Sequence, residues 1–319
     1  MAHKLLRLLN AMLNGLLLSA VLLMFLYGCY GLWDSHMVYE AADQKQYEAY
    51  KPTQDKPSFE ELQGRNPDIL GWLSIYGTGV DYPLVQGADN DTYLNTSVTG
   101  EYALSGSIFL DCKNQKDFSD FNSLIYGHHM EKSAMFGDIG KFLEQGYFEG
   151  HRYGSIYYAG KNHGIEFFAV LSVDAYDTGV YRPAVTGAEA QQGYLDGLWD
   201  KAVQKRELDV TIDDRIVLLS TCDSQTTSGR HLLAGRITDE VEQNPFEEGI
   251  QDGNLVISRV DAQRGGSWLR QMPKWAWAAL ALGLYLTVLA VWKQHKRKQK
   301  ERKMGDGGTD EDKKEQDSI

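Results

Sequence analysis

The sequence predicts a mostly β domain, a barrel or sandwich with an inserted helix, flanked by two transmembrane helices. Three observations carry that expectation. Short apolar or alternating runs recur between Gly, Asn and Asp turns from residue 69 to residue 237, one stretch in their midst has near-helical spacing, and two long uncharged apolar segments stand towards the ends of the 319-residue chain.

The first apolar segment is Ala11–Trp33, "AMLNGLLLSAVLLMFLYGCYGLW", long enough to cross about 30 Å of hydrocarbon. It exceeds the apolar stretch of a secretory signal, and no convincing small-residue cleavage site follows, so it reads as an uncleaved anchor. The second, Trp275–Trp292, is bracketed by tryptophans of the kind that sit at membrane interfaces, and "KQHKRKQKERK" follows it. Basic residues gather on the cytoplasmic side of a membrane. Lys4 and Arg7 therefore place residues 1–10 in the cytoplasm, and the second basic cluster places the tail, 293–319, there too. About 240 residues are left outside.

In chain order, residues 34–57 form a polar linker broken by Pro52 and Pro57, with a short helix over Ala41–Tyr50. The folded domain is expected over 58–262, opened at Ser58 by the Ser-x-x-Glu capping pattern of "SFEELQ". Eight runs read as strands: Trp72–Ile75, Val80–Val85, Ser107–Leu110, Ser123–Tyr126, Ser155–Tyr158, Ile165–Val173, Ile216–Ser220 and Leu232–Ile237. Between the sixth and seventh, Tyr194, Leu195, Leu198 and Val203 fall at near-helical spacing, which predicts a helix over Ala188–Lys205. Residues 263–274 form a second linker.

Charge and cysteine usage narrow the function. Residues 1–10 and 293–319 each carry a net +2, so the total of −12 leaves −16 on residues 11–292. So acidic a middle opposes a nucleic-acid surface, which needs clustered Lys and Arg. Cys29 lies in the first span, and Cys112 and Cys222 are too few for a disulfide framework, although one bridge between them is open. No Cys-x-x-Cys or convincing His spacing marks a metal site, and no cofactor is implied.

Cys222 stands where the strand "RIVLLS" gives way to a Ser/Thr/Gly loop, and Arg230 stands eight residues on, at the start of the returning strand. A hairpin there would bring a permanently charged guanidinium to a thiol, a pairing suited to holding an oxyanion as a carbonyl is attacked. Proton transfer needs a third group. His128 and His129, in "SLIYGHHM", follow another short strand and Gly127. His151, His163 and His231 are the remaining histidines of the outer domain.

"LLSTCDSQTTSGR" resembles the signature of sortases, the membrane-anchored cysteine transpeptidases of Gram-positive bacteria. "NPDILGWLSIYGTGVDYPLVQGADNDTYLN", "GSIFLDCKN" and "SLIYGHHMEKSAMFGDIGKF" look like successive blocks of the class B branch, so the resemblance covers about Asn66–Ile237. It implies a sortase-like eight-stranded β-barrel with an inserted helix before the Cys strand. It implies Cys222 as nucleophile, His128 as general acid and base, and Arg230 as the oxyanion or substrate-positioning group. His129 departs from the family, which usually has Asn there, and reads as a solvated loop residue. Cys112 replaces a frequent aromatic and reads as a small packed hydrophobe. Thr221 reads as a strand residue.

The implied partners are secreted surface proteins bearing a C-terminal sorting motif, and an amine of a peptidoglycan precursor or a pilin. The second apolar segment is similar to one in pilus-building class C, but the Asp-Pro-aromatic lid of that class does not occur. Two other readings stand beside the transpeptidase: a secreted cysteine peptidase using the same residues, and a two-span receptor or scaffold.

Overall fold

The computed structural model describes residues 2–52, 58–222, 228–246 and 293, and for Ser58 and Cys222 the backbone alone. The chain divides into two units, Met1–Glu248 and Gly249–Ile319, and of the second only residue 293 is described. The apolar segment Trp275–Trp292, the linker before it and the rest of the tail therefore lie outside the described residues.

Helix α1, Ala2–Ala41, carries the first apolar segment without a break. Its 40 residues extend about 60 Å. Leu5 to Trp33 present their apolar side chains outward, and among the described residues α1 is the one helix long and apolar enough to cross a membrane. The short helix expected over Ala41–Tyr50 is in fact the end of α1 followed by a 3-10 turn, Gln44–Tyr50, which Asp43 caps by accepting from the Lys45 N–H at 3.0 Å. Ala42 and Tyr47 are buried there, and Lys51 pairs with Asp81 at 2.8 Å.

The domain continues through α2 (Ser58–Arg65), β1 (Ile69–Ile75), β2 (Asp81–Val85), β3 (Ile108–Leu110), β4 (Asn122–Tyr126), α3 (Gln145–Gly150), β5 (Tyr153–Tyr158), β6 (Lys161–Asp174), α4 (Ala188–Lys201), β7 (Ala202–Lys205), β8 (Arg215–Cys222) and β9 (Gly229–Thr238). Strand order is β5-β1-β2-β3-β4-β8-β9-β6, and β5 pairs back onto β6 to close eight strands into a barrel. Closure depends on the length of β6. Residues 161–166 pair with β5, residues 164–174 with β9, and residues 169–171, past the end of β5, take β7 as a flanking ninth strand. The expected helix over Ala188–Lys205 accordingly stops at Lys201. Ala202 turns extended, and Val203, half exposed, belongs to a strand.

Alternation divides the apolar residues of β8 and β9 between two cores. Val217, Leu219 and Leu233 point into the barrel with Phe136, Phe142 and Phe167. Ile216, Leu218, Leu232 and Ala234 point outward beneath Tyr194, Leu195 and Leu198 of α4. These strands are covered on both faces, which is why their sequences read as continuous apolar runs rather than alternating ones. Each fully buried Leu contributes about 1.5–3 kcal/mol relative to exposure, so the strands that end at the site are anchored over most of their length.

Candidate active site

Two ladders bring separate parts of the chain to one end of the barrel. β8 and β9 are antiparallel, and their register runs from Arg215↔Ile237 to Cys222↔Arg230, so the Cys and Arg positions are direct cross-strand partners. β4 lies parallel to β8 on its other edge, with Tyr126 opposite Ser220, and the Gly127 N–H donates to the Ser220 carbonyl at 3.2 Å. Parallel neighbours finish at the same end of a sheet. His128, one residue past Gly127, therefore leaves β4 where Cys222 closes β8 and Arg230 stands second in β9. Positions 218, 220 and 222 share one face of β8, and 230, 232 and 234 share one face of β9. Leu218, Leu232 and Ala234 identify it as the outer face, the one α4 covers lower down.

Gly127 suits this corner because a Cβ there would lie 2.7 Å from the ring of Phe136, which is fully buried. The chain then crosses a short loop whose Phe136 N–H returns to the His128 carbonyl at 3.0 Å, with His129 and Met135 bridged across it. His128 Nε2 sits 2.7 Å from the Leu94 carbonyl oxygen. A carbonyl can only accept, so Nε2 carries the proton and Nδ1 is the basic nitrogen of the neutral ring. Arg230 is half-buried, and its Nη1 donates to the Gly229 carbonyl at 2.8 Å.

Polar side chains meet at the ends of β4 and β8. The Tyr181 hydroxyl lies 2.9 Å from the Ser220 hydroxyl. The Tyr126 hydroxyl donates to Asp111 Oδ2 at 2.9 Å, and the Asn90 amide donates to the same oxygen at 2.9 Å. Burial, and then the Asp111 carboxylate, drive the Tyr126 phenol well above its ordinary range, so it stays a neutral donor. Leu94, Tyr126, Asp111, Asn90 and Tyr181 were not singled out from the sequence. Only Tyr126 carried a signal, as the last residue of a strand leading into the His pair.

The other sequence-derived candidates fall elsewhere. Thr221 is buried on the barrel-facing side of β8, as a strand residue. His151 is sandwiched between Tyr147 and Phe246, with ring centroids 3.8 and 4.9 Å away, and His163 stacks on Tyr158 at 4.3 Å, so both act as packing groups. Cys112 is a free thiol, which removes the bridge to Cys222, and it is half-buried at a loop where its N–H donates to Asn90 rather than packed in either core. Among the described residues no cluster of three or more His, Cys, Asp or Glu side chains is placed to hold a metal.

No protein-family model matches this chain. It is 36% identical over 181 residues to sortase B of Listeria monocytogenes, a match covering 56% of this chain and 72% of the relative. Among solved structures it is similar to a sortase B from the type II pilus of Streptococcus pneumoniae, at 48% identity and a TM-score of 0.51, over 57% of this chain and 99% of that one. It is also similar to Spy0129, a Streptococcus pyogenes class B sortase involved in pilus biogenesis, at 40% identity and a TM-score of 0.52, over 56% and 97% of the two chains. A closed eight-stranded barrel with a cysteine and an arginine as partners at its end is the architecture of a sortase, a cysteine transpeptidase. The chain belongs to the class B branch of that family.

Proposed function

We propose that Cys222 is the nucleophile, His128 the general acid and base and Arg230 the oxyanion-holding group of a membrane-anchored transpeptidase that joins secreted proteins to an amine. The observation that carries this reading is the Cys222↔Arg230 register pair with His128 leaving the parallel neighbour strand at the same end. His128 takes the Cys222 thiol proton on Nδ1, the resulting thiolate attacks the Thr carbonyl carbon of a sorting motif, and negative charge builds on the carbonyl oxygen beside Arg230. The C–N bond then breaks, the departing amine takes a proton from His128, and a thioester remains on Cys222. An incoming amine attacks that thioester and gives its proton to His128. The C–S bond breaks, and the thiolate is restored with a new amide formed.

Anchoring by α1 holds the enzyme at the membrane surface, where an exported substrate and a lipid-linked acceptor meet, and so raises the effective concentration of both. The domain limits that accompany this reading are an anchor at 11–33, a transpeptidase domain at 58–262 and a second span at 275–292, with both termini cytoplasmic.

Two acceptors fit the same chemistry: a cell-wall peptide amine and a lysine of another pilin. Identity favours the pilin, because the two pilus sortases stand at 48% and 40% while the Listeria relative stands at 36%. The experiment incubates the full-length protein with a sorting-motif peptide and, separately, a wall-type oligopeptide amine, a lysine-bearing pilin domain, or neither. Amine-dependent product supports transfer, and the better acceptor decides between wall and pilus. Cleavage that ignores every added amine identifies a cysteine peptidase instead.

A further inference from the structure

We propose that Tyr82 is a positioning residue, and that it joins the C-terminal end of α1 to the loop carrying His128, so that the anchor and the proton-transfer group form one braced unit. The loop from Met130 to Gly137 is held in a costly conformation. Lys132, Ser133 and Met135 are all non-glycine residues in the left-handed region, with φ of 60°, 60° and 50°. Such backbone persists only where its surroundings over-determine it.

The surroundings come from two sides. On the barrel side, Met135 and Phe136 are buried, Phe136 N–H binds the His128 carbonyl, and Asp138 Oδ2 accepts from the Gly79 N–H at 2.8 Å. On the other side stands the start of the domain. The buried Tyr82 hydroxyl accepts from the Met135 N–H at 3.1 Å and donates to the Ala42 carbonyl at 2.7 Å. One hydroxyl thus joins a strained loop residue to the first residue after α1. A second contact runs parallel to it, with Lys132 Nζ 4.3 Å from the centre of the Tyr39 ring, near the end of α1.

The geometry separates the two halves of the site. Cys222 and Arg230 are fixed by the β8–β9 ladder, which the brace does not touch, whereas the position of His128 depends on a loop that the brace holds from β2. Removing the Tyr82 hydroxyl leaves a buried N–H and a buried C=O unpaired and releases the loop selectively.

The test compares the full-length protein in lipid nanodiscs with its Tyr82→Phe and Tyr39→Ala variants by hydrogen–deuterium exchange. Exchange over residues 128–137 is expected to rise about tenfold in Tyr82→Phe and about threefold in Tyr39→Ala, with β8 and β9 unchanged. The kinetic arm rests on the proposed role of His128. There kcat for peptide transfer is expected to fall about tenfold in Tyr82→Phe, with KM and the alkylation rate of Cys222 within twofold. Unchanged exchange over 128–137 overturns the brace whatever the activity does, as does a rise spread equally over β8 and β9. A wild type that transfers no peptide overturns the reading of the site, while the exchange data still decide the brace. Should Tyr82→Phe not fold, Tyr39→Ala decides it alone: faster exchange in the loop supports the brace, and unchanged exchange overturns it.

Discussion

Cys222 and Arg230 form the last registered pair of the β8–β9 ladder. Cross-strand partners have Cα atoms about 4.5–5.5 Å apart, so the spacing of this pair is set by backbone pairing over the eight residues of β8 and not by the course of the connecting loop.

This relationship makes the guanidinium's geometry the property to test. Arg230→Lys keeps the charge but loses the planar fork of donors, and the expected result is a fall of about 100-fold in kcat/KM for peptide transfer. Thermal unfolding should move by less than about 0.5 kcal/mol in stability, since Arg230 is only half-buried and its side-chain bond is to a neighbouring carbonyl. Stopped-flow peptide cleavage and calorimetry together check this.

The two adjacent histidines should behave differently. His128 holds the Leu94 carbonyl through Nε2 and stands nearest the strand ends, whereas His129 is engaged by backbone in the bridge to Met135. His128→Ala should lower kcat by about 100-fold or more. His129→Asn should stay within about threefold of wild type. The reverse pattern would reassign the pair.

Gly127 should tolerate no side chain. A Cβ would meet the buried Phe136 ring at 2.7 Å, and Phe136 has no room to withdraw, so Gly127→Ala is expected to cost about 1–3 kcal/mol in denaturant unfolding.

Acid should act on the far side of the barrel through Glu166. Burial pushes its carboxyl up, but Arg152, bonded at 2.8 and 2.6 Å, and Arg236, bonded at 2.8 Å, outweigh burial and hold it below the ordinary carboxylate range. A carboxyl whose folded value is depressed adds stability that is complete above its unfolded value and is lost as pH falls through the folded one. Wild type should therefore lose stability below about pH 4.5. Glu166→Gln should lose about 3 kcal/mol at neutral pH and show a flatter acid limb, as measured by urea unfolding across pH.

Much of this was legible in the sequence because the informative signals were local. Among the described residues eight of the nine strands coincide with apolar runs, and Cys222, His128 and Arg230 each stand at a strand end next to a Gly or polar turn. The choice between barrel and sandwich was not legible in the strand pattern and came from the family resemblance alone. It is made by β5 returning to β6 and by the parallel β4–β8 pairing, both non-local. Strand β7 was hidden because Val203 continues the apolar spacing of α4, and only the free edge of β6 makes it a strand. Leu94 acts through its carbonyl, and Tyr181 reaches Ser220 from 39 residues away, so no side-chain pattern announced either. Residues 34–50 read as linker from their polarity, yet Ala42 and Tyr47 are buried through contacts with β2 and its neighbours, which polarity does not encode.

The measurement that bears most directly on the central claim is intact-mass and peptide-mapping spectrometry of the full-length protein quenched in acid during turnover of a sorting-motif peptide. The account predicts an acyl adduct on Cys222 that is absent from Cys222→Ala and is discharged within one turnover by added amine. Product formed with no adduct, or an adduct that maps to Cys112, would contradict it.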